Sequence, residues 1–206
     1  IRLTKDEEII VFHDEFADRT TDFYGRVADY TLSELKVADA GYRFVDEDGN
    51  HSYRGKNIEV LSLRELIQQF PHMLIAINLK DSPETYEGSL MPSKLWRLIE
   101  ELEAEDRIVI TSAYDEQIDR FNLYAQTSVA NGAVEDVFKE AYAACTSQLC
   151  NQYTPRSDLI RITENLGELP LRTVSCITFP STLNTTYNYK HRKYPPTNNQ
   201  HSMKAR

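Results

Sequence analysis

Two adjacent polar residues, His13 and Asp14, directly follow an apolar run at residues 9–12. The β-branched and aromatic side chains of that run are typical of a short buried strand, which would place His13 at its carboxyl end. In α/β folds the functional site lies at the carboxyl ends of the strands. An imidazole titrates near neutral pH, so a His13 that faces a cleft could transfer a proton to or from a substrate oxygen.

The elements that must position this histidine alternate between strand-like and helix-like segments as far as about residue 165. Such alternation is typical of a parallel sheet covered by crossover helices, and it predicts an α/β fold. Capping-box spacing predicts helix starts at Thr31 with Glu34 and at Ser62 with Glu65. The other predicted elements are strands at 73–79, 107–111 and 159–162, a polar loop at 81–92, and helices that begin at Ser93, at an Asp115 cap and near residue 134.

Composition excludes some classes of function. The formal net charge of -9 argues against general nucleic-acid binding, because phosphate backbones are bound by clustered Lys and Arg. No apolar run approaches the roughly 18 residues that a membrane helix needs, so no membrane span is expected. The three cysteines form no C-x-x-C pair and predict neither a disulfide framework nor a zinc site. The chain begins with Ile1 rather than Met, so localisation stays open.

Several motifs over residues 2–44 occur in a fixed order. They are Arg-Leu-Thr-Lys-Asp at 2–6, the apolar run at 9–12, His13-Asp14, Arg-Thr-Thr at 19–21, and a leucine-rich segment that ends in Ala-Gly at 40–41. This order and spacing resembles the start of the glycerophosphodiester phosphodiesterase family. The resemblance covers about residues 1–165 and is strongest up to residue 80.

The resemblance implies a (β/α)8 TIM-type barrel that hydrolyses deacylated phospholipids to glycerol 3-phosphate and an alcohol such as choline or ethanolamine. In that family two histidines share acid and base catalysis, and a divalent metal held by carboxylates polarises the phosphate. A chain of 206 residues is shorter than the roughly 250 residues of such a barrel, so we expect an incomplete barrel.

The resemblance also assigns roles to individual residues. His13 matches the second family histidine and would transfer the proton. Asp14 would orient its ring or shape the outer shell of the metal. Arg19, with Thr20 and Thr21, would brace the loop, and Arg19 is also a candidate substrate contact.

A second family motif, Ile-Glu-Ile-Lys, aligns with residues 77–80, where this chain reads Ile-Asn-Leu-Lys. Lys80 would face the phosphate, as expected of a lysine at the end of a buried strand. Asn78 replaces the family's metal-binding glutamate. Its amide oxygen can still ligate Mg²⁺ or Ca²⁺, although less strongly than a carboxylate, which makes the metal doubtful in this chain. Alternatively, Asn78 hydrogen-bonds within the barrel mouth, and both interpretations stay open.

Other family elements do not occur in this sequence. An earlier His-Arg-Gly strand, a Glu-x-Asp pair just before residue 2, and the motifs of the last barrel strands are missing. We therefore predict a partial domain at 1–168 and a disordered, polar and basic tail at 169–206, a segment that contains no Asp or Glu. A basic arm that binds nucleic acid is the functional alternative for this tail.

The predicted function is that of a metal-dependent phosphodiesterase acting on a small glycerophosphodiester, with little activity expected from these residues alone. The competing interpretation is a non-catalytic remnant or binding-only relative, because Asn78 stands where the metal-binding glutamate is expected. A lyase that stops at the cyclic phosphate is a third interpretation.

Overall fold

The computed structural model describes residues 1–126 and 128–133, together with three short strands further along the chain. The chain divides into two units, Ile1–Val134 and Glu135–Arg206.

The first unit begins with a two-stranded antiparallel hairpin. Strand β1 spans Arg2–Leu3 and β2 spans Ile9–Ile10, with Leu3 opposite Ile9. The predicted strand at 9–12 is therefore too long, and His13 does not end a strand of the parallel sheet. The physical reason is that Val11 leaves the ladder, because its N–H donates instead to the Leu61 carbonyl at 2.9 Å.

Short helical segments follow the hairpin. Two 3-10 turns span Ala17–Arg19 and Val27–Asp29, and helices α1 and α2 span Leu32–Leu35 and Leu63–Gln69. Both predicted capping boxes are confirmed. The Thr31 and Ser62 hydroxyls accept from the amides three residues on, and the glutamates there accept from the capping amides.

Three parallel strands form the sheet of the first unit. Strands β3 (Ile75–Leu79), β4 (Ile108–Ser112) and β5 (Ala130–Ala133) lie in this order, with Asn78 opposite Thr111 and Leu79 opposite Ser112. Helix α3 (Tyr86–Glu101) connects β3 to β4, and α4 (Asp115–Ala125) connects β4 to β5. A third 3-10 turn, Glu105–Arg107, leads into β4. The alternation of parallel strands with connecting helices confirms the α/β prediction for this unit.

Helix α3 starts earlier than predicted. Thr85 caps it by accepting from the Gly88 amide at 3.0 Å, so the predicted loop at 81–92 is wrong beyond Thr85 and the predicted start at Ser93 is wrong. Pro92 lies inside this helix. At α4, Asp115 is the first helical residue rather than the cap, and the capping residue Tyr114 makes no side-chain bond.

Two apolar clusters hold the first unit together. The larger one lies between the sheet and helices α3 and α4 and includes the fully buried Leu79, Leu95, Ile99, Ile110 and Phe121. The smaller one consists of Ile10, Val27, Leu35 and Val60, with Phe12 packed against it. Because Phe12 precedes His13, this smaller cluster anchors the backbone from which the histidine projects.

In the second unit the described residues form three two-residue strands. Strand β6 is Leu159–Ile160, and β7 (Asn165–Leu166) pairs antiparallel with β8 (Leu169–Pro170). The strand predicted at 159–162 is thus present over its first two residues. The helix predicted near 134 and nearly all of the predicted tail lie outside the described residues, so the domain boundary at 168 stays a prediction. No helix in the described part of the chain is long and apolar enough to cross a membrane.

Candidate active site

His13, Asp14 and Arg19 form one hydrogen-bonded cluster. The His13 Nδ1 lies 2.7 Å from Asp14 Oδ1. The Arg19 guanidinium binds the same carboxylate through two nitrogens: Nε donates to Oδ2, and Nη2 donates to Oδ1 at 3.1 Å. The bonds from Arg19, and next those from His13, lower the pKa of Asp14 to about 2. Asp14 is therefore an anion at neutral pH and can only accept hydrogen bonds.

The anionic Asp14 determines which nitrogen of His13 carries the proton. A carboxylate can accept but not donate, so Nδ1 of a neutral imidazole must be protonated in this contact and Nε2 keeps its lone pair. The His13 side chain is 70% exposed, so the ring is open to a ligand. Asp14 therefore orients the ring and leaves Nε2 as the nitrogen that can accept a proton.

An open cavity of about 290 Å³ adjoins this cluster. His13, Asp14 and Arg19 line it together with Thr20. Its other lining residues are Val11, Phe12, Ala40, Glu59, Val60 and Leu61. The cavity thus combines an apolar wall with an imidazole, a guanidinium and the carboxylates of Asp14 and Glu59, a lining that suits a small polar ligand.

Thr21 braces the loop that carries Arg19. Its hydroxyl is buried, donates to the Ala17 carbonyl at 3.0 Å and accepts from the Phe23 amide at 3.0 Å. The backbone of this loop is also fixed by the bond from the Ala17 amide to the Gly25 carbonyl at 2.9 Å. Thr21 therefore fixes the backbone of this loop, and Arg19 holds Asp14.

Asn78 lies on β3, with its side chain directed at β4. Its Nδ2 donates to Thr111 Oγ1 at 3.0 Å, and Thr111 Oγ1 in turn donates to the Ile77 carbonyl at 3.2 Å. Since the single hydroxyl proton of Thr111 is used on Ile77, Thr111 must accept from Asn78. The amide oxygen therefore points away from Thr111, and it is buried with no hydrogen-bond partner among the described residues.

Arg2 joins β3 to the loop of His13, a connection that the sequence did not predict. Its Nη1 binds Asp81 Oδ1 at 2.5 Å, and its Nε and Nη2 donate to the His13 carbonyl at 3.3 and 3.2 Å. Asp81 directly follows the half-buried Lys80. Arg2 and Asp81 are 79 residues apart, so no local pattern could have revealed the pair.

The structure thus brings some of the predicted residues together and not others. His13, Asp14 and Arg19 share the cavity. Asn78 and Lys80 belong to β3 and its carboxyl end and are not among the residues that line this cavity. Arg2 connects the His13 backbone to Asp81, the residue that follows Lys80.

The described residues do not form a complete divalent-metal site. No cluster of three His, Cys, Asp or Glu side chains suited to a metal ion occurs among them. Asp14 is engaged by Arg19 and His13, and Asn78 offers one neutral oxygen. A hard cation prefers several oxygen ligands, with carboxylates among them, so these two residues do not by themselves fit a metal.

Comparison with known proteins identifies relatives of the chain. The model of the "Glycerophosphoryl diester phosphodiesterase family" matches residues 1–127. A glycerophosphodiester phosphodiesterase of Bacillus altitudinis is 38% identical over 113 residues, which are 54% of this chain and 43% of the relative. Another from Caldanaerobacter subterraneus subsp. tengcongensis is 37% identical over 113 residues, with the same coverage. The chain therefore spans less than half the length of these relatives.

Solved structures show the same fold at low sequence identity. A glycerophosphoryl diester phosphodiesterase domain from Mycobacterium tuberculosis has a TM-score of 0.64 and 16% identity, covering 74% of this chain and 54% of that one. An Agrobacterium tumefaciens glycerophosphodiester phosphodiesterase has a TM-score of 0.61 and 20% identity, covering 88% and 68%. An Oleispira antarctica phosphodiesterase in complex with the product sn-glycerol-3-phosphate has a TM-score of 0.58 and 17% identity, covering 87% and 74%. The prediction of an incomplete (β/α)8 TIM-type barrel is confirmed.

Proposed function

This chain belongs to the glycerophosphoryl diester phosphodiesterase family, and from that premise we propose that the protein hydrolyses glycerophosphodiesters to glycerol 3-phosphate and an alcohol such as choline or ethanolamine. The observation that carries the proposal is the His13–Asp14 pair at the open cavity, with Nδ1 and Oδ1 2.7 Å apart. The spacing of His13 in the family motif and the free Nε2 of its ring support the same role.

In the proposed reaction His13 moves the proton. Its Nε2 takes a proton from the attacking hydroxyl or gives one to the departing alkoxide, a contribution of about 10²–10⁴ in rate. As the ring becomes an imidazolium, the Asp14 anion stabilises the positive charge through the bond at Nδ1. Asp14 therefore acts through His13 rather than on the substrate.

Positive side chains offset the charge of the phosphoryl oxygens. Lys80, at the carboxyl end of β3, is proposed as one phosphate contact. Arg19 is proposed as another, because its side chain is 66% exposed and only part of its N–H fork is occupied by Asp14. These two cations differ in kind: Arg19 is fixed by Asp14, whereas Lys80 is a point charge on a flexible stem.

Members of this family are generally metal-dependent. We propose Mg²⁺ or Ca²⁺ as the ion of the protein, with the Asn78 oxygen as one weak contact and Asp14 in the outer shell. These two residues do not complete the site, because no cluster suited to a metal ion occurs among the described residues. The neutral amide of Asn78 provides one charge fewer than the glutamate that the family motif carries, which would weaken the ion's binding. No step of the proton transfer described above depends on this ion.

The test is the release of glycerol 3-phosphate from glycerophosphocholine by the intact protein, with added Mg²⁺ or Ca²⁺. His13→Ala should lower kcat by at least about 100-fold. The matched control His72→Ala, at an exposed turn position, should leave it unchanged. Equal activity of His13→Ala and wild type would refute the assignment. Phosphorus NMR of the products separates hydrolysis from a lyase that stops at the cyclic phosphate.

The binding-only interpretation is favoured by one observation, the amide at position 78. It predicts that sn-glycerol 3-phosphate binds while turnover is missing in both the wild type and Asn78→Glu. The enzymatic proposal predicts that Asn78→Glu retains turnover and tightens the binding of the divalent ion, which is measured by calorimetry. Turnover that is lost in Asn78→Glu, with ion binding unchanged, would contradict the proposed place of residue 78.

A further inference from the structure

The guanidinium of Arg2 connects two parts of the proposed site that the sequence separates. It binds the Asp81 carboxylate on one side and the His13 carbonyl on the other. Asp81 follows the phosphate contact Lys80, and His13 is the proton carrier. The Arg2 guanidinium therefore ties the His13 backbone to Asp81, the residue that follows the proposed phosphate contact.

The bridge is largely withdrawn from solvent. The Arg2 and Asp81 side chains are only 14% and 9% exposed. Asp81 Oδ2 also accepts from the Leu3 amide at 3.3 Å, so each carboxylate oxygen has a donor in β1. On its other side, the Asp81 carbonyl accepts from Gln117 Nε2 at 2.8 Å, which anchors the end of β3 to α4. These bonds fix the position of Asp81. Arg2, which binds both Asp81 and the His13 carbonyl, therefore fixes the His13 backbone relative to the end of β3.

The fork geometry is essential to this connection. Three N–H groups of Arg2 are engaged, and Nε and Nη2 converge on one carbonyl while Nη1 faces the carboxylate. A lysine at this position keeps the charge and the ion pair, but an ammonium on a flexible stem does not hold two acceptors in one plane. Arg2→Lys therefore tests the bidentate geometry of the guanidinium while the positive charge is kept.

We propose that Arg2, seated on Asp81, is a positioning residue that sets the distance between His13 and Lys80 for the phosphodiester reaction. The inference rests on the proposed function. Arg2 is not proposed to touch the substrate; its effect passes through the His13 backbone. Loss of the fork should misplace the proton carrier while leaving the Lys80 phosphate contact in place. Misplacement by about 1 Å can cost about 100-fold in rate.

The experiment compares Arg2→Lys with Arg64→Lys in the intact protein. Arg64 is a matched control because its guanidinium also makes two bonds to one carboxylate, Glu101, at 2.8 and 2.7 Å, in an exposed pair between α2 and α3. Arg2→Lys should lower kcat by about 10- to 100-fold, with KM for glycerophosphocholine within about threefold. Arg64→Lys should change neither. Asp81→Asn, which keeps the shape of the side chain, should also lower kcat, as Arg2→Lys does.

A second measurement does not depend on activity. Backbone order parameters of His13 and Asp14 should fall from the rigid range near 0.85 to below about 0.6 in Arg2→Lys, and stay rigid in Arg64→Lys. An inactive wild type would refute the proposed function, and this measurement would then decide the positioning role by itself. Arg2→Lys with unchanged kcat, or with unchanged order parameters, would overturn the inference.

Discussion

Gln117 compensates for a proline inside a helix, and this leads to a quantitative prediction about the support of the site. Pro92 has no N–H, so the carbonyl four residues earlier, that of Gly88, receives no helical donor at this point. Gln117, fully buried on α4, donates from Nε2 to the Gly88 carbonyl at 3.0 Å and to the Asp81 carbonyl at 2.8 Å. The Gln117 side chain thus supplies a donor both to the Gly88 carbonyl in α3 and to the Asp81 carbonyl after β3.

The cost of Gln117→Leu follows from these contacts. Two buried carbonyls lose a donor at about 2 kcal/mol each, since an unsatisfied buried acceptor costs about 1–3 kcal/mol. The substitution also removes the Gln117 Oε1, which has no partner among the described residues, and this recovers about 1 kcal/mol. We expect a net loss of about 3 kcal/mol in the free energy of unfolding.

A second substitution identifies the cause. In the Pro92→Ala background residue 92 regains its N–H, which can donate to the Gly88 carbonyl. Gln117→Leu should then cost about 1–2 kcal/mol less than it does with Pro92 in place. Urea unfolding followed by circular dichroism of the wild type, both single variants and the double variant gives this coupling energy. Additive effects within about 0.5 kcal/mol, as independent sites show, would mean that Gln117 does not compensate for Pro92.

Two further predictions concern Asp14 and Gly88. The pKa of Asp14 is about 2 in the folded protein, below its ordinary 3.8, so its ion pairs stabilise the fold above about pH 4, and this contribution is lost as pH falls through 2. In Asp14→Asn the stability measured by thermal unfolding should therefore fall less steeply as the pH is lowered. The loss at pH 7 should be at most about 1 kcal/mol, because the partners of Asp14 are exposed. An unchanged fall in stability at acid pH would contradict this. In Gly88→Ala the new Cβ would lie 1.8 Å from the Ser82 carbonyl oxygen, so the turn after β3 must move and we expect a loss of about 3 kcal/mol or more in urea unfolding. The exposed neighbour Ser89→Ala is the control, and equal stability of the two variants would show that the turn is not tight.

The parts of the fold that were predicted correctly depend on local patterns. The capping boxes at Thr31 and Ser62 need only residues three positions apart, and both are present. The start of α3 was missed because Pro92 suggested a loop. Its compensation comes from Gln117 on another helix, and a local pattern contains no information about that partner.

In the candidate site, too, the features that depend on neighbouring residues could be predicted and those that depend on the tertiary fold could not. The pairing of His13 with Asp14 is local and was predicted from adjacent residues within a family motif. The strand expected to carry His13 was placed wrongly, since a short apolar run does not reveal whether its neighbours are parallel or antiparallel. The Arg2–Asp81 bridge depends on the tertiary fold and could be found only in the structure.

The proposed mechanism requires that the His13 imidazole and the Lys80 ammonium act on the same anionic group. The most direct measurement is the ¹⁵N chemical shift of the His13 ring while the intact protein is titrated with sn-glycerol 3-phosphate. Lys94→Met is the control, because Lys94 lies on α3 and pairs with Glu7. The His13 signals should shift with the same dissociation constant in wild type and in this control. In Lys80→Met that constant should rise by about tenfold or more, equivalent to about 1.4 kcal/mol. A His13 response that is missing in wild type, or equally strong in Lys80→Met, would show that the two side chains do not share one anionic ligand.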